Sequence, residues 1–452
     1  MRKLIFDHAL LPTGWEQNVG IEVERGIIRA VHPRAAPDGF ERVAGVALPG
    51  LPNLHSHTFQ RGMAGLAETR GPDGDSFWTW RQVMYRFLGN LTPDDVEAIA
   101  AFAMMEMLEG GFTALAEFHY LHHDTDGRAY DDPAELAIRV AAAAQETGMG
   151  LTLLPVFYAQ GGFGDAAPTE GQRRFISDLQ LYSKLVEGAR RAIASMDDAV
   201  VGIAPHSLRA VAPRSLDKIL ALAEEGPIHI HVAEQVKEVE DCLAWSGQRP
   251  VAWLLDHAPV DRRWCLIHAT HLDPHEMRGL AATGAVAGLC PLTEANLGDG
   301  IFEGAGFLAA GGRFGVGSDS NIEISAPGEL KQLEYSQRLK HRARNVLAER
   351  EGRSTGRSLY ENALAGGARA LGRRIGAIDV GQRADVVVLD AMHPDLAALS
   401  GDRWLDAYVF VTGNAAIDTV MVAGMPLVLK GRHVGRDAIS ARYVRTMARI
   451  LA

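Results

Sequence analysis

His55 and His57 stand two residues apart at the end of an apolar run, Val46-Ala-Leu-Pro-Gly-Leu-Pro-Asn-Leu. Along an extended strand, residues two apart point to the same side, so both imidazoles can reach one metal ion where the strand ends. A His-x-His pair alone is weak evidence, but three further pieces follow it: His231 with Glu234, then His268, then Asp319. Zinc is commonly held by imidazole nitrogens and carboxylate oxygens, and its catalytic sites keep one position open for water. His55, His57 and His231 can supply the nitrogens and Asp319 the carboxylate. One divalent ion is the economical expectation, zinc first, with iron, cobalt or nickel also suited to these donors. A second ion usually needs a bridging ligand, and the stretch ending in Pro205-His206-Ser207 carries no lysine to provide it. Glu234 falls where a strand gives way to a loop, so its carboxylate can lean over the metal; it could also be an exposed acid at a helix start. His229 shares the strand face of His231, which leaves a packing role open for the latter.

Such residues do chemistry only if the chain brings them together. Between Val46 and Ser320, short apolar runs alternate with longer amphipathic stretches, the pattern of repeated βα units and a parallel sheet. Eight strands are expected: Val46 to Leu54, Thr113 to Tyr120, Gly150 to Tyr158, Val200 to His206, Ile228 to Glu234, Trp264 to His271, Ala285 to Pro291 and Arg313 to Asp319. Helices fall between them, as at Pro93 to Glu109, Ala134 to Gly148, Ser177 to Met196 and Ser215 to Glu225. The fold class is therefore α/β, a (β/α)8 TIM-like barrel over residues 48–375. Nearly every strand finishes in a group capable of chemistry: His55 and His57, Tyr120, His206, His231, His268, Asp319. Active sites of this fold sit at those C-terminal strand ends.

Both ends of the chain read differently. Lys3 to Phe6 and Gly20 to Val31, then Ala384 to Asp390, Tyr408 to Val411 and Asp418 to Leu429, are short strand-like stretches separated by turn residues and read as β-hairpins. Neither end can bury such strands alone, so residues 1–47 and 376–452 are expected to build one small β-sandwich together.

Composition bounds the partners. A chain of 452 residues with 47% hydrophobic and 22% charged residues has the make-up of a globular protein with a large core. Its net charge of −11 disfavours nucleic acid, and an anionic substrate would need locally placed arginines. Only three cysteines occur, none in CxxC spacing, which argues against a disulfide framework and for a reducing, cytoplasmic setting. No signal-peptide core opens the chain and no run of ~18 apolar residues could span a membrane. A soluble protein acting on a small molecule is expected.

Taken together, His55-x-His57 after Pro-Gly-Leu-Pro-Asn, His231-x-x-Glu234, His268, Gly317-Ser318-Asp319 and Gly381-Gln-Arg-Ala-Asp-Val-Val-Val-Leu-Asp resemble the amidohydrolase superfamily in its mononuclear deaminase branch. The likeness covers nearly the whole chain. Longer stretches are similar to the formimidoylglutamate deiminases of histidine degradation: Leu54 to Glu68, Asp75 to Arg81, Ala116 to Tyr120, His206 to Val211 and Thr293 to Phe302. Ser320 to Pro327 departs from that pattern, with Asn321 where a histidine is expected.

The resemblance implies a metal-bearing barrel, a homodimer, and hydrolysis of N-formimidoyl-L-glutamate to N-formyl-L-glutamate and ammonia. It implies Asp319 as general base, Glu234 as proton shuttle and His268 as hydrogen-bond donor to the tetrahedral centre. Arg81, Tyr120 and Arg209 would bind the substrate carboxylates, with Gln60 and His206 adding hydrogen bonds. Each has a plainer alternative: Arg81 could cap the aromatic cluster around Trp78 and Trp80, Arg209 could be a surface arginine, and Gln60, Tyr120 and His206 could satisfy local hydrogen bonds. His119, His122 and His123 are expected to be structural or exposed. Competing functions are deamination of an aromatic base or nucleoside, which would not require two arginines, opening of a ring amide, which releases no ammonia, and a noncatalytic scaffold, which would be expected to have lost metal ligands.

Overall fold

A computed structural model describes residues 1–72 and 74–452. Two arcs of parallel strands surround its centre. The first holds Leu51–Ser56, Phe112–His119, Gly150–Phe157 and a split fourth strand, Val200–Val201 with Ala204–Pro205; the second holds Ile228–Val232, Trp264–His268, Val286–Leu289 and Arg313–Val316. Backbone bridges join them at both seams, Ile203 to Ile228 on one side and Ser56 to Asp319 on the other. At the second seam the Asp319 N–H donates to the His55 carbonyl at 3.0 Å and the His57 N–H to the Asp319 carbonyl at 3.0 Å. The ring is therefore closed partly by the backbone of residues expected to bind metal.

Phe112–His119 and Gly150–Phe157 are buried along their whole length, as parallel strands covered on both faces must be. The expected helices appear as Pro93–Glu109, Glu135–Thr147, Leu179–Ala192 and Pro213–Leu220. Pro93–Glu109 starts where the motif dictates: Thr92 and Asp95 form a reciprocal capping box, and proline occupies the first turn. Thr355–Leu371 seals the junction of first and last strands, with the Tyr360 hydroxyl donating to the Pro49 carbonyl at 2.7 Å.

The termini form one eight-stranded sheet. Its spatial order is Arg432–His433, Met425–Leu429, Ile417–Val422, Val386–Leu389, Glu41–Pro49, Arg2–Leu11, Gly14–Glu24 and Ile27–His32. The two ends of the chain meet where Val386–Leu389 runs antiparallel to Glu41–Pro49. The sheet curls until Ile27 bridges Arg383, enclosing Leu4, Phe6, Val19, Ile21, Ile28, Val386 and Val388. Glu41–Pro49 continues through Gly50 into the first barrel strand, so the expected division at 47/48 falls inside a strand.

Two parts of the C-terminal segment differ from expectation. Tyr408 to Val411 is not a hairpin strand: helix Asp402–Ala407 runs on as a π-turn over Tyr408–Thr412. Ala407, Tyr408 and Val409 are buried in succession and Val411 is exposed, a pattern without the alternation of a half-buried strand. Helix Arg436–Ile450 lies on barrel helix Pro93–Glu109, where Tyr443 and Phe102 stack with centroids 4.0 Å apart. Among the described residues, no helix is long and apolar enough to cross a membrane.

Helix Thr355–Leu371 can approach the barrel this closely only because Gly366 has no side chain: a Cβ there would lie 1.9 Å from the Phe314 carbonyl oxygen. Gly366→Ala is expected to lower folding stability by ~1–3 kcal/mol. A urea midpoint unchanged from wild type would show that the helix moves away at little cost.

Candidate metal and catalytic site

The strand ends deliver the site, and they do so through unusual backbone. Ala233 (φ 52°), His268 (66°), Ala269 (48°), Asp319 (44°) and Asn321 (58°) all occupy left-handed conformations without being glycine. Each costs an L-residue roughly 1–2 kcal/mol, and such strain tends to collect where side chains must be aimed. The last strand stops at Val316, so Asp319 is presented from the turn that follows and not from the strand itself.

His55, His57 and His231 converge as a buried cluster of potential metal donors. The His57 Nδ1–H donates to the Phe118 carbonyl at 2.9 Å and the His231 Nδ1–H to the His206 carbonyl at 3.2 Å. A carbonyl can only accept, so these contacts assign the proton to Nδ1 and leave Nε2 as a bare lone pair. The His231 and His55 Nε2 atoms face one another at 3.0 Å. Asp319 Oδ1 lies 3.5 Å from His55 Nε2 and 3.4 Å from His57 Nε2. Burial pushes the His55 pKa down to about 3 and holds those of His57 and His231 below the ordinary range. Burial alone would raise Asp319, but the hydrogen bond from His55 and the histidines around it hold its carboxyl below the usual carboxylate range. Neutral imidazoles and an ionised carboxylate are the protonation states a divalent cation needs, so this donor set fits a metal.

Beside the donor set stand two further groups able to move protons, His268 and Glu234. His268 Nε2 is 3.8 Å from Asp319 Oδ2 and 3.8 Å from Glu234 Oε1. Burial opposes a charge on His268, but Glu234, Glu294 and Asp319 outweigh it and push the pKa up to about 10. Burial raises the Glu234 pKa above its ordinary value, against the pull of His268 and Arg209. Arg209 reaches Glu234 at 3.6 Å and Glu238 at 3.9 Å.

One cavity runs over these groups and is lined by His57, Gln60, Arg81, Tyr120, His206, Arg209, His231, Glu234, His268 and Asp319. The structure thus brings together the expected catalytic, metal-binding and substrate-binding residues, with His55 buried just beneath. Arg81 lies on helix Phe77–Leu88 and stacks over Trp78 at 4.6 Å; Arg209 approaches the same ring at 5.9 Å. Both guanidinium Nε atoms are buried without a hydrogen-bond partner. The Gln60 amide donates to the Tyr120 hydroxyl at 2.8 Å, and His206 Nδ1 meets Ser207 Oγ at 3.0 Å. His229 faces away and binds the Ala370 carbonyl at 2.8 Å. His119, His122 and His123 are buried, the latter two bonding backbone carbonyls.

Sequence reasoning missed Tyr85, Tyr158 and Phe175, which also line the cavity, and Glu294, which meets His268. Tyr158 ends the third strand candidate and could have been found by the strand-end rule. Tyr85 sits one turn after Arg81, a signal legible only once Phe77–Leu88 is known to be a helix over the site.

A parallel barrel with a His-rich, carboxylate-completed centre at its C-terminal mouth defines a metal-dependent hydrolase scaffold. The Amidohydrolase family profile matches residues 46–427, and the chain belongs to that family. It is 50% identical over 453 residues to the formimidoylglutamate deiminase of Pseudomonas aeruginosa, covering 100% of both chains. To the 8-oxoguanine deaminase of the same species it is 28% identical over 430 residues, covering 91% of this chain and 89% of that one. Among solved structures, an amidohydrolase from Brucella melitensis superposes with a TM-score of 0.96 at 52% identity, covering 100% of both chains. An adenosine deaminase from Xanthomonas campestris with bound zinc gives 0.82 at 22% identity over 99% of this chain and 98% of that one, a likeness of fold.

Asn321, where a histidine was expected, has its own structural task. Its amide nitrogen lies 3.0 Å from Ser56 Oγ, 3.1 Å from the His57 carbonyl and 3.0 Å from the Asp319 carbonyl, while its Oδ1 accepts from Ser318 Oγ at 2.7 Å. Asparagine also tolerates the left-handed backbone better than most residues. Asn321→Ala is expected to cost ~2–4 kcal/mol of folding stability by stranding these buried groups. An unchanged urea midpoint would contradict that role.

Proposed function

We propose that this chain hydrolyses the formimidoyl C–N bond of N-formimidoyl-L-glutamate, giving N-formyl-L-glutamate and ammonia in histidine degradation. The observation that carries the reading is the placement of Arg81 and Arg209 against one tryptophan ring, in the same cavity as the histidine and carboxylate centre. A substrate with a protonated amidine and two carboxylates asks for that combination. Arginine's planar fork suits bidentate carboxylate contact, and the Arg81 Nε–H, buried without a partner, offers a donor for it. Identity of 50% over the full length to the Pseudomonas aeruginosa deiminase supports the same reading.

His55, His57, His231 and Asp319 would hold a single ion, with zinc as our choice. When bound, a divalent metal supplies Lewis acidity and eases the ionisation of water near neutral pH. The chain's own groups do the rest. Arg81, Arg209 and Tyr120 bind the carboxylates, and Gln60 and His206 fix the chain of the substrate by hydrogen bonds. Asp319 takes a proton from the attacking water as its oxygen adds to the formimidoyl carbon. His268 donates its Nε2–H to the tetrahedral centre. Glu234 passes a proton to the departing nitrogen, the C–N bond breaks, and ammonia leaves behind a formyl group. Arg209 is placed to answer both ends of this task, since it faces Glu234 as well as the cavity.

We further place the enzyme in the cytoplasm as a homodimer. The three cysteines are unpaired and buried, in keeping with a reducing compartment.

Ammonia release should be fastest with formimidoylglutamate in a panel that includes its aspartate and glycine analogues, guanine and an adenosine derivative. Preference for a base would overturn the substrate while leaving the centre intact. Asp319→Asn and Glu234→Gln should each lower kcat by ~10²–10⁴. Arg209→Met should raise KM by ~10–100-fold through loss of a charged hydrogen bond. Near-native turnover in either acid variant would overturn the assigned roles.

A further inference from the structure

Glu294 lies in the short helix Pro291–Leu297 that follows the seventh barrel strand, and nothing in the reaction above uses it. Its carboxylate is buried behind His268. Oε1 accepts the Cys290 backbone N–H at 2.8 Å and lies 3.2 Å from His268 Nδ1. The first bond fixes the oxygen on backbone. The second fixes the ring, because an imidazole held at Nδ1 can turn only by giving up that bond.

His268 needs such a hold. It stands at φ 66° and is followed by Ala269 at φ 48°, so the strand leaves the barrel through two consecutive left-handed residues. Backbone of that kind persists only where surrounding contacts determine it. With Nδ1 committed to Glu294, Nε2 is the nitrogen turned to the centre, 3.8 Å from both Glu234 and Asp319. The general pattern is a carboxylate behind a histidine that sets which nitrogen faces the reaction.

We propose that Glu294 is a positioning residue: its Oε1, anchored on the Cys290 amide, holds His268 so that Nε2–H points at the tetrahedral centre. The proposal rests on the deiminase reading for the role of His268, and on geometry for the contact itself. The helix that carries Glu294 therefore belongs to the reaction although it touches no substrate. Glu294 also ties the seventh strand's loop to the end of the sixth, so two neighbouring strand ends act as one unit.

The test uses the full-length enzyme loaded with metal. Glu294→Leu should lower kcat by about 100-fold with KM within about threefold, the pattern of an interaction made in the transition state. Glu294→Gln keeps an oxygen at the same place and should recover most of that loss. In a His268→Gln background, adding Glu294→Leu should cost less than about twofold more, because the two residues act as a unit. A loss equal in both backgrounds would mean that Glu294 only supports the fold, and would overturn the proposal. Nitrogen-15 histidine NMR decides it independently of substrate. The hydrogen-bonded Nδ1–H signal absent from His268→Gln should also be lost or shifted in Glu294→Leu and retained in Glu294→Gln. An unaltered signal in Glu294→Leu overturns the proposal. Failure of the wild type to release ammonia from formimidoylglutamate counts against the deiminase reading, and the NMR result still decides Glu294.

Discussion

Two imidazole nitrogens, His55 Nε2 and His231 Nε2, face each other across 3.0 Å in a buried pocket. With the His231 proton on Nδ1, this buried pair is satisfied only by a proton on His55 Nε2 or by a cation that the two nitrogens share. The surrounding structure is arranged around that demand. His57 adds a third nitrogen, Asp319 an ionised carboxylate, and the carbonyls of Phe118 and His206 pin the far sides of two of the rings. Each of those pins is backbone of a neighbouring strand, so donor geometry is set by the barrel and not by flexible side chains.

Barrel closure and the site use the same backbone. The seam between the first and last strands is the pair of hydrogen bonds linking His55, His57 and Asp319 backbone. Asn53, Ser318 and Asn321 lock it from inside: Asn53 donates to Ser318 Oγ at 2.7 Å, and Ser318 Oγ donates to Asn321 at 2.7 Å. The left-handed residues at 233, 268, 269, 319 and 321 are the cost of turning each strand end toward a common point. The closely packed helix Thr355–Leu371 holds the first and last barrel strands together, through Gly366 against Phe314 and Gly367 against Pro52.

Much of this was legible in the sequence, for definite reasons. Parallel strands read as apolar runs, and His55, His57, His231, His268 and Asp319 stood at their ends, so periodicity and chemistry pointed to the same places. The limits are equally physical. Tyr408 to Val411 is apolar enough for a strand, but only its packing on neighbouring helices decides for a π-turn. His229 and His231 share a strand face by the rule of two, yet one binds the Ala370 carbonyl at 2.8 Å and the other faces His55. They lie at different depths along the strand, two residues apart, and spacing alone does not say which one reaches the centre. Glu294 lies inside the short helix after the seventh strand and not at a strand end, so the strand-end pattern does not reach it. Asn321 broke a family pattern, and its reason is a set of backbone carbonyls that no sequence displays.

The central claim is that the strand ends build one metal centre from His55, His57, His231 and Asp319. Anomalous X-ray diffraction at the zinc edge, on crystals grown without chelator, tests it most directly. A single peak is expected within bonding reach of those three Nε2 atoms and the Asp319 carboxylate. A peak instead among His268, Cys290 and Glu294, the second buried group of potential donors among the described residues, would contradict it.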